Sequence, residues 1–407
     1  MDSTHWFRPP GHALHALLLG AGLVTASAMG ATPHAEDRTR FGFTGPESLG
    51  FGPQATEDRF NFIARPGSNL LDFGPVFQEI AKNVAQAKVL GLPLDLQMVK
   101  LFTGPVLLIL VIMILLGLAA EAVRFARSGS DGSLTAALGR KLLGDYLSPL
   151  RISNAVHAFL FMSAYMVGYT FIKKAIPTAH PFSWDGAFAE WDRAVHFGHN
   201  PFELLSFLNV PLITFILNVN YNMWFFVMFS LWFWQGFSGQ DTRLRLHFLL
   251  GFTLTWFLGT CVLGTVFSSV GPCFYGRLLP GPDPYAPAMA WLAEANRHYP
   301  IWSLNVMDEL WKTYETGTGL VNGISAMPSM HVGTSVLFAI LGFASGKRWL
   351  GYLLSAFALM IFLGSVHLAW HYAIDGYAGA TIAITGWWLA GKLIDWARPD
   401  LKTVASA

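Results

Sequence analysis

Charge is scarce in this chain. Of its 407 residues only 13% are charged, against 53% hydrophobic. Soluble domains carry about a quarter charged residues, so half that share, with 14% aromatics, points to lipid as the solvent. The 26 cations and 25 anions leave a formal charge of +1, which excludes the basic surface that a nucleic-acid partner requires. Cysteine is nearly absent: Cys261 and Cys273 cannot build a disulfide scaffold or a Cys-rich metal cluster. Cys261 lies inside an apolar run and reads as a packed thiol. Nucleotide-binding glycine motifs, internal repeats and low-complexity tracts are missing too.

Long apolar runs are abundant. The first, residues 13–28, follows Arg8 and ends in Ala26-Ser27-Ala28, so residues 1–31 read as a signal peptide or a short N-terminal anchor. Residues 32–98 are charged and punctuated by Gly and Pro, as an extracytoplasmic segment would be. A spanning helix needs about 20 mostly apolar residues. Seven stretches qualify: residues 101–123, 155–176, 210–234, 246–267, 329–343, 350–367 and 373–396. The expected fold is an all-α polytopic bundle of seven spans, or eight if the N-terminal run is retained. Residues 99–176 would hold its N-terminal helices and 177–407 the membrane domain with the chemistry. Lys and Arg concentrate in cytoplasmic loops. Arg124, Arg127, Arg140, Lys141 and Arg151 follow the first span, Arg243 and Arg245 the third, Lys347 and Arg348 the fifth, and Lys392, Arg398 and Lys402 the last. With seven spans these clusters share one side. Residues 32–97, 177–209 and 268–328 lie on the other, as expected for a bacterial plasma-membrane protein.

Three polar residues stand out at span ends on that second side: His331 in Ser325-Ala326-Met327-Pro328-Ser329-Met330-His331, and His371 with Asp375 in His371-Tyr372-Ala373-Ile374-Asp375. Residue 351, midway between the histidines, lies at the edge of the turn Gly346-Lys347-Arg348-Trp349-Leu350-Gly351. A helical hairpin with equal arms would therefore return His371 to the depth of His331. His371 and Asp375 are four apart and would share one helix face. A carboxylate on one ring nitrogen fixes the tautomer and raises the basicity of the other, as a nucleophile attacking phosphorus requires. Pro328 and Ser329 suit a helix start, whose N–H groups and dipole favour phosphate. His331, one turn in, is placed to protonate a leaving oxygen and then deprotonate an acceptor. Ionisable residues are costly in a membrane, so three on one face argue for function.

These residues resemble a known family. Pro-Ser-x-His followed by His-x-x-x-Asp resembles the type 2 phosphatidic acid phosphatase (PAP2) superfamily. Ala326-Met327-Pro328-Ser329-Met330-His331 and Trp370-His371-Tyr372-Ala373-Ile374-Asp375-Gly376 look most like its inositolphosphorylceramide synthase, or aureobasidin-resistance, branch. The resemblance covers about residue 177 to the end. It implies a cofactor-free, metal-independent transfer through a phosphohistidine, with His371 as nucleophile, Asp375 as its orienting partner and His331 as acid and base. It further implies a phospholipid donor and a lipid or polyol hydroxyl acceptor. The chain departs from the superfamily's phosphatases in three ways. Met330 replaces a glycine, Gly364-Ser365 stands where they carry Ser-Arg, and the Lys-x6-Arg-Pro signature is missing around residues 268–280, where only Arg277 remains. Fewer cations suit a singly charged phosphodiester, hence a transferase; a phosphatase using water is the alternative, and a non-catalytic scaffold or transporter a third reading.

Other candidates are weaker. Arg277 would be the phosphate clamp, since Arg grips two oxygens at once, or else a solvated loop arginine. Asp192 and Arg193, with His196, His199, Asn200 and Pro201, would help hold a headgroup, or simply belong to an interfacial helix anchored by Trp184, Phe188 and Trp191. His331, His367, His371 and Asp375 have the residue types for a metal site, but the phosphohistidine reading needs no ion. Asn218, Asn220 and Asn222 read as hydrogen-bonding groups between helices.

Overall fold

A computed structural model of the protein describes residues 96–129, 132–238, 243–316 and 323–401, and every regular element among them is helical. In chain order these are α1 (Leu96–Ser128), α2 (Leu134–Arg140, prolonged by a π turn over Lys141–Tyr146), α3 (Pro149–Ala179), α4 (Asp185–Val195) and α5 (Pro201–Leu204). Then come α6 (Pro211–Gly236), α7 (Arg243–Trp256, running on through the π segment Phe257–Leu263 to Val266), α8 (Tyr275–Leu278), α9 (Ala286–His298) and α10 (Trp302–Thr316). The chain closes with α11 (Met330–Ala344), α12 (Arg348–His367) and α13 (Ala373–Ala397). The N-terminal run 1–31 and nearly all of the segment 32–98 lie outside the described residues.

Helix α11 is the hub. Its Leu337, Phe338 and Leu341 are fully buried against Trp224 and Met228 of α6 and Phe248 and Phe252 of α7. The hairpin to α12 is tight because Gly346, at φ +76, takes the left-handed position that ends a helix, its N–H donating to the Phe343 carbonyl. In lipid no hydrophobic expulsion drives helices together, so close backbone approach at small residues does the work. Helix α13 supplies it: Gly376, Gly379, Ala383, Gly386 and Ala390 form a buried stripe. A Cβ on Gly333 of α11 would sit 2.7 Å from the Gly379 carbonyl oxygen, and one on Gly386 2.7 Å from Thr255 Oγ1 of α7.

The bundle has two unlike ends. At one, Arg243 pairs with Asp395, Lys347 lies over the Trp234 ring at 5.4 Å, and Arg245 Nε donates to the Gln235 carbonyl at 3.0 Å. The starts of α11 and α13 meet at the other, where the Ser329 N–H donates to the Asp375 carbonyl at 2.9 Å.

All seven apolar stretches read from the sequence fall on helices, but only α1, α6, α7 and α12 are long and apolar enough to cross a membrane by length and composition. The expected count of seven or eight is therefore met in four cases. Helix α11 has 15 residues, a rise of about 22 Å against a hydrocarbon core of about 30 Å. Helix α13 carries Asp375 in its first turn and Lys392 and Asp395 near its end, and α3 carries Arg151, Asn154, His157 and Lys173.

Candidate functional site

Ser329 is the N-cap of α11, its side chain accepting from the Val332 N–H at 3.4 Å, and it is wholly buried. Pro328 precedes the cap rather than opening the helix as the sequence suggested. His331 follows one residue into α11 and sits between aromatic rings, 4.4 Å from Tyr221 and 4.3 Å from Trp224, centroid to centroid.

His371 lies just before α13, not on it. The expectation that His371 and Asp375 share a helix face is corrected in this respect. Asp375 is the third residue of α13, and its Oδ2 accepts from the Tyr372 N–H at 3.1 Å and from His371 Nδ1 at 3.2 Å. One carboxylate oxygen thus caps the helix and orients the imidazole. With Nδ1 engaged, Nε2 carries the lone pair. Asp375 is fully buried and His371 is 8% exposed, on a small recess shared with Asp192, Phe202, Tyr285 and Val366. The hairpin does bring the histidines together: their ring centroids are 6.4 Å apart.

The segment 268–328 covers this end of the bundle in its described parts. Trp291 of α9 donates to Thr214 Oγ1 at 3.1 Å, and Ser303 of α10 bonds Asn218 Oδ1 with both its N–H and its hydroxyl. Asn218 thus ties a helix to this cover, whereas Asn222 bonds within α6 to the Asn218 carbonyl. His367 shares a hydrogen bond with Thr214 Oγ1 through its Nε2 at 2.9 Å. No group of three His, Cys, Asp or Glu suited to a metal occurs among the described residues. Arg277 ion-pairs with Asp308 at 2.9 Å and lies over the Phe274 and Trp311 rings.

Two carboxylates that the sequence reading did not place at the site's foundation are there. Asp192 Oδ2 and Oδ1 accept from the Ala373 and Ile374 N–H groups, each at 3.1 Å, at the start of α13. Asp185 accepts from the Val270 and Gly271 N–H groups, each at 2.9 Å, and from the Tyr372 hydroxyl at 3.0 Å. Burial pushes both carboxyls above the usual carboxylate range, and these donors pull them only part of the way back. A signal was available. Asp185, Phe188, Ala189 and Asp192 are the buried face of α4, spaced as an apolar helical stripe is, so carboxylates at its two ends had to be meeting donors inside.

Exposed Trp191, Phe197 (93% exposed), Leu204 and Phe207 crowd α4, α5 and the turns beside them. Such rings and apolar side chains suit headgroup depth; of the expected anchors, Trp191 is exposed, whereas Phe188 is buried in the core beside Tyr372.

The helical bundle has four helices long and apolar enough to cross a membrane, and it gathers a His–His–Asp cluster between the starts of two packed helices. Its family is the PAP2 superfamily, which matches residues 186–389, half of the chain, and to which the protein belongs. No curated protein and no solved structure matches it.

Proposed function

We propose that the protein is a membrane phosphotransferase that moves a phosphoryl headgroup from a phospholipid to a hydroxyl acceptor through a phosphohistidine on His371. Family membership supports lipid-phosphate chemistry of the phosphatase or phosphotransferase type. The observation that carries the residue roles is the His371 Nδ1–Asp375 contact with His331 one imidazole away. His371 Nε2 attacks phosphorus, and the bond from phosphorus to the diacylglycerol-type oxygen breaks. His331 gives that oxygen its proton. The acceptor hydroxyl then passes its proton to His331 and attacks phosphorus, breaking the P–N bond and restoring His371. Ser329, capping the helix that carries His331, would help seat the phosphate.

The transferase reading, like that of the inositolphosphorylceramide synthase-like branch, rests on Met330, on Ser365 in the place of an arginine, and on Arg277 being occupied by Asp308. These leave little cationic charge for a monoester dianion. Water as acceptor gives the phosphatase alternative, which family membership supports equally.

The test uses purified protein, a labelled phospholipid, and a hydroxyl acceptor added or withheld. Acceptor-dependent product is expected, with losses on the order of 100-fold or more in His371→Ala and His331→Ala. Turnover should withstand EDTA. Inorganic phosphate released from a monoester would favour the phosphatase. Unchanged turnover in both variants would overturn the catalytic assignment and leave the scaffold or transporter reading.

A further inference from the structure

We infer that Lys173, on α3 and outside the family-matched segment, supplies the positive charge that holds the substrate's phosphate beside His331. The inference rests on the phosphotransfer reading above and deepens it.

Tyr165, Tyr169 and Lys173 follow one another at four-residue spacing, so they share a face of α3. That face is fixed against α7: the Tyr165 hydroxyl donates to the Thr253 carbonyl at 3.2 Å, and the Tyr169 ring lies 4.8 Å from Trp256. Trp256 in turn donates to Thr334 Oγ1 of α11 at 3.1 Å and stacks 6.2 Å from Trp224, which touches His331. One turn further, the Lys173 stem lies against the loop that leads into Ser329, where a Cβ on Gly323 would come within 2.7 Å of Lys173 Cγ. The Lys173 charge is close enough to act on His331 electrostatically.

No carboxylate among the described residues pairs with Lys173, although Glu121, Asp308, Asp395 and Asp400 all hold Arg partners. A cation in an apolar helix without a counter-ion marks a substrate path by default. A second donor borders His331: Trp224 Nε1 is buried and has no hydrogen-bond partner. Buried donors without acceptors are costly, and an oxyanion is the ligand that satisfies an ammonium and an indole N–H together. The negative charges nearby, Asp185, Asp192 and Asp375, would otherwise repel a phosphodiester. Arg277 cannot offset them while it is held by Asp308.

The experiment measures orthovanadate binding to the full chain in detergent by titration calorimetry, together with kcat/KM on the phospholipid. Lys173→Met is expected to weaken both by on the order of 10- to 100-fold, the worth of one charge-assisted hydrogen bond. Lys173→Arg should stay within a few fold of wild type, and Arg297→Met, which removes a surface cation, should change neither. If Lys173→Met does not fold, Lys173→Gln takes its place. Wild-type binding with unchanged affinity in the neutral variant would overturn this inference alone. A purely structural lysine would give that result, with a lowered melting temperature. Failure of the wild type to bind vanadate or turn over lipid would instead overturn the phosphate site itself, and this inference with it.

Discussion

Asp192 shows how a single side chain can set the geometry of a proposed catalytic group that it does not touch. Its two oxygens hold the Ala373 and Ile374 N–H groups, which lie within the peptide run from His371 to Asp375. Asn at this position has one acceptor oxygen and an NH2 that would face a donor. Hydrogen bonds to a charged group contribute about 1.5–3 kcal/mol each, so Asp192→Asn should lower thermal stability and cost turnover even though Asp192 transfers no proton. Melting and kcat measured together check this; an unchanged kcat in a folded Asp192→Asn would show that α13 holds its first turn unaided. The sequence made His331, His371 and Asp375 legible because their types and spacing are unusual in an apolar chain. Asp192 was noticed but read as a headgroup contact or part of an interfacial helix surface. Its partners are backbone groups 181 and 182 residues away, and backbone donors leave no trace in residue identity. Tyr221 and Trp224 were unreadable for a related reason. In a chain with 14% aromatics, nothing distinguishes the two rings that enclose His331 from those that only fill the core.

The geometry of the candidate site also depends on how closely α11 and α13 cross. Gly333 and Gly379 meet at that crossing, one turn or less from His331 and Asp375 respectively. Gly333→Ala would push a methyl group against the Gly379 carbonyl, 2.7 Å from its oxygen. Overpacking of this kind costs about 1–3 kcal/mol and here would shift the two histidines relative to each other. Activity should fall further than stability does. Gly139→Ala, at a helical position with nothing within 4 Å, should be neutral or stabilising by up to about 1 kcal/mol. Equal behaviour of the two variants in melting and turnover assays would contradict the crossing argument. At this scale the hairpin was readable, because equal arms about Gly351 need only a count of residues. The placement of His371 outside α13 was not. An i, i+4 pair looks the same in sequence whether it lies on a helix face or straddles the N-cap. Asp375 as a cap was the clue that Tyr372, rather than His371, borders the helix.

Across the whole molecule, the larger share of cations at the end away from the candidate site predicts how the protein sits in its membrane. The start of α7, the α11–α12 turn and the end of α13 gather Arg243, Arg245, Lys347 and Lys392 at one end. The other end holds the starts of α6, α11 and α13 with the covering helices α9 and α10. Because cytoplasmic loops retain Lys and Arg, the cationic end should face the cytoplasm and the site the opposite compartment. The described helices fix this polarity independently of how many of them cross, since Arg243–Asp395 ties α7 to α13 and the Ser329–Asp375 bond ties α11 to α13 at their far ends. Cys261 and Cys273 are both buried, so a cysteine introduced at an exposed position can be read without much background. In intact cells a membrane-impermeant maleimide should label Glu294→Cys, on α9 over the site. Lys347→Cys, in the hairpin turn, should react only after permeabilisation. Labelling of Lys347→Cys from outside, or of both positions from one side, would invert or abolish the proposed orientation. A site on the cytoplasmic face would then have to draw its lipid from the inner leaflet, with Trp191, Phe197 and Phe207 anchored there instead.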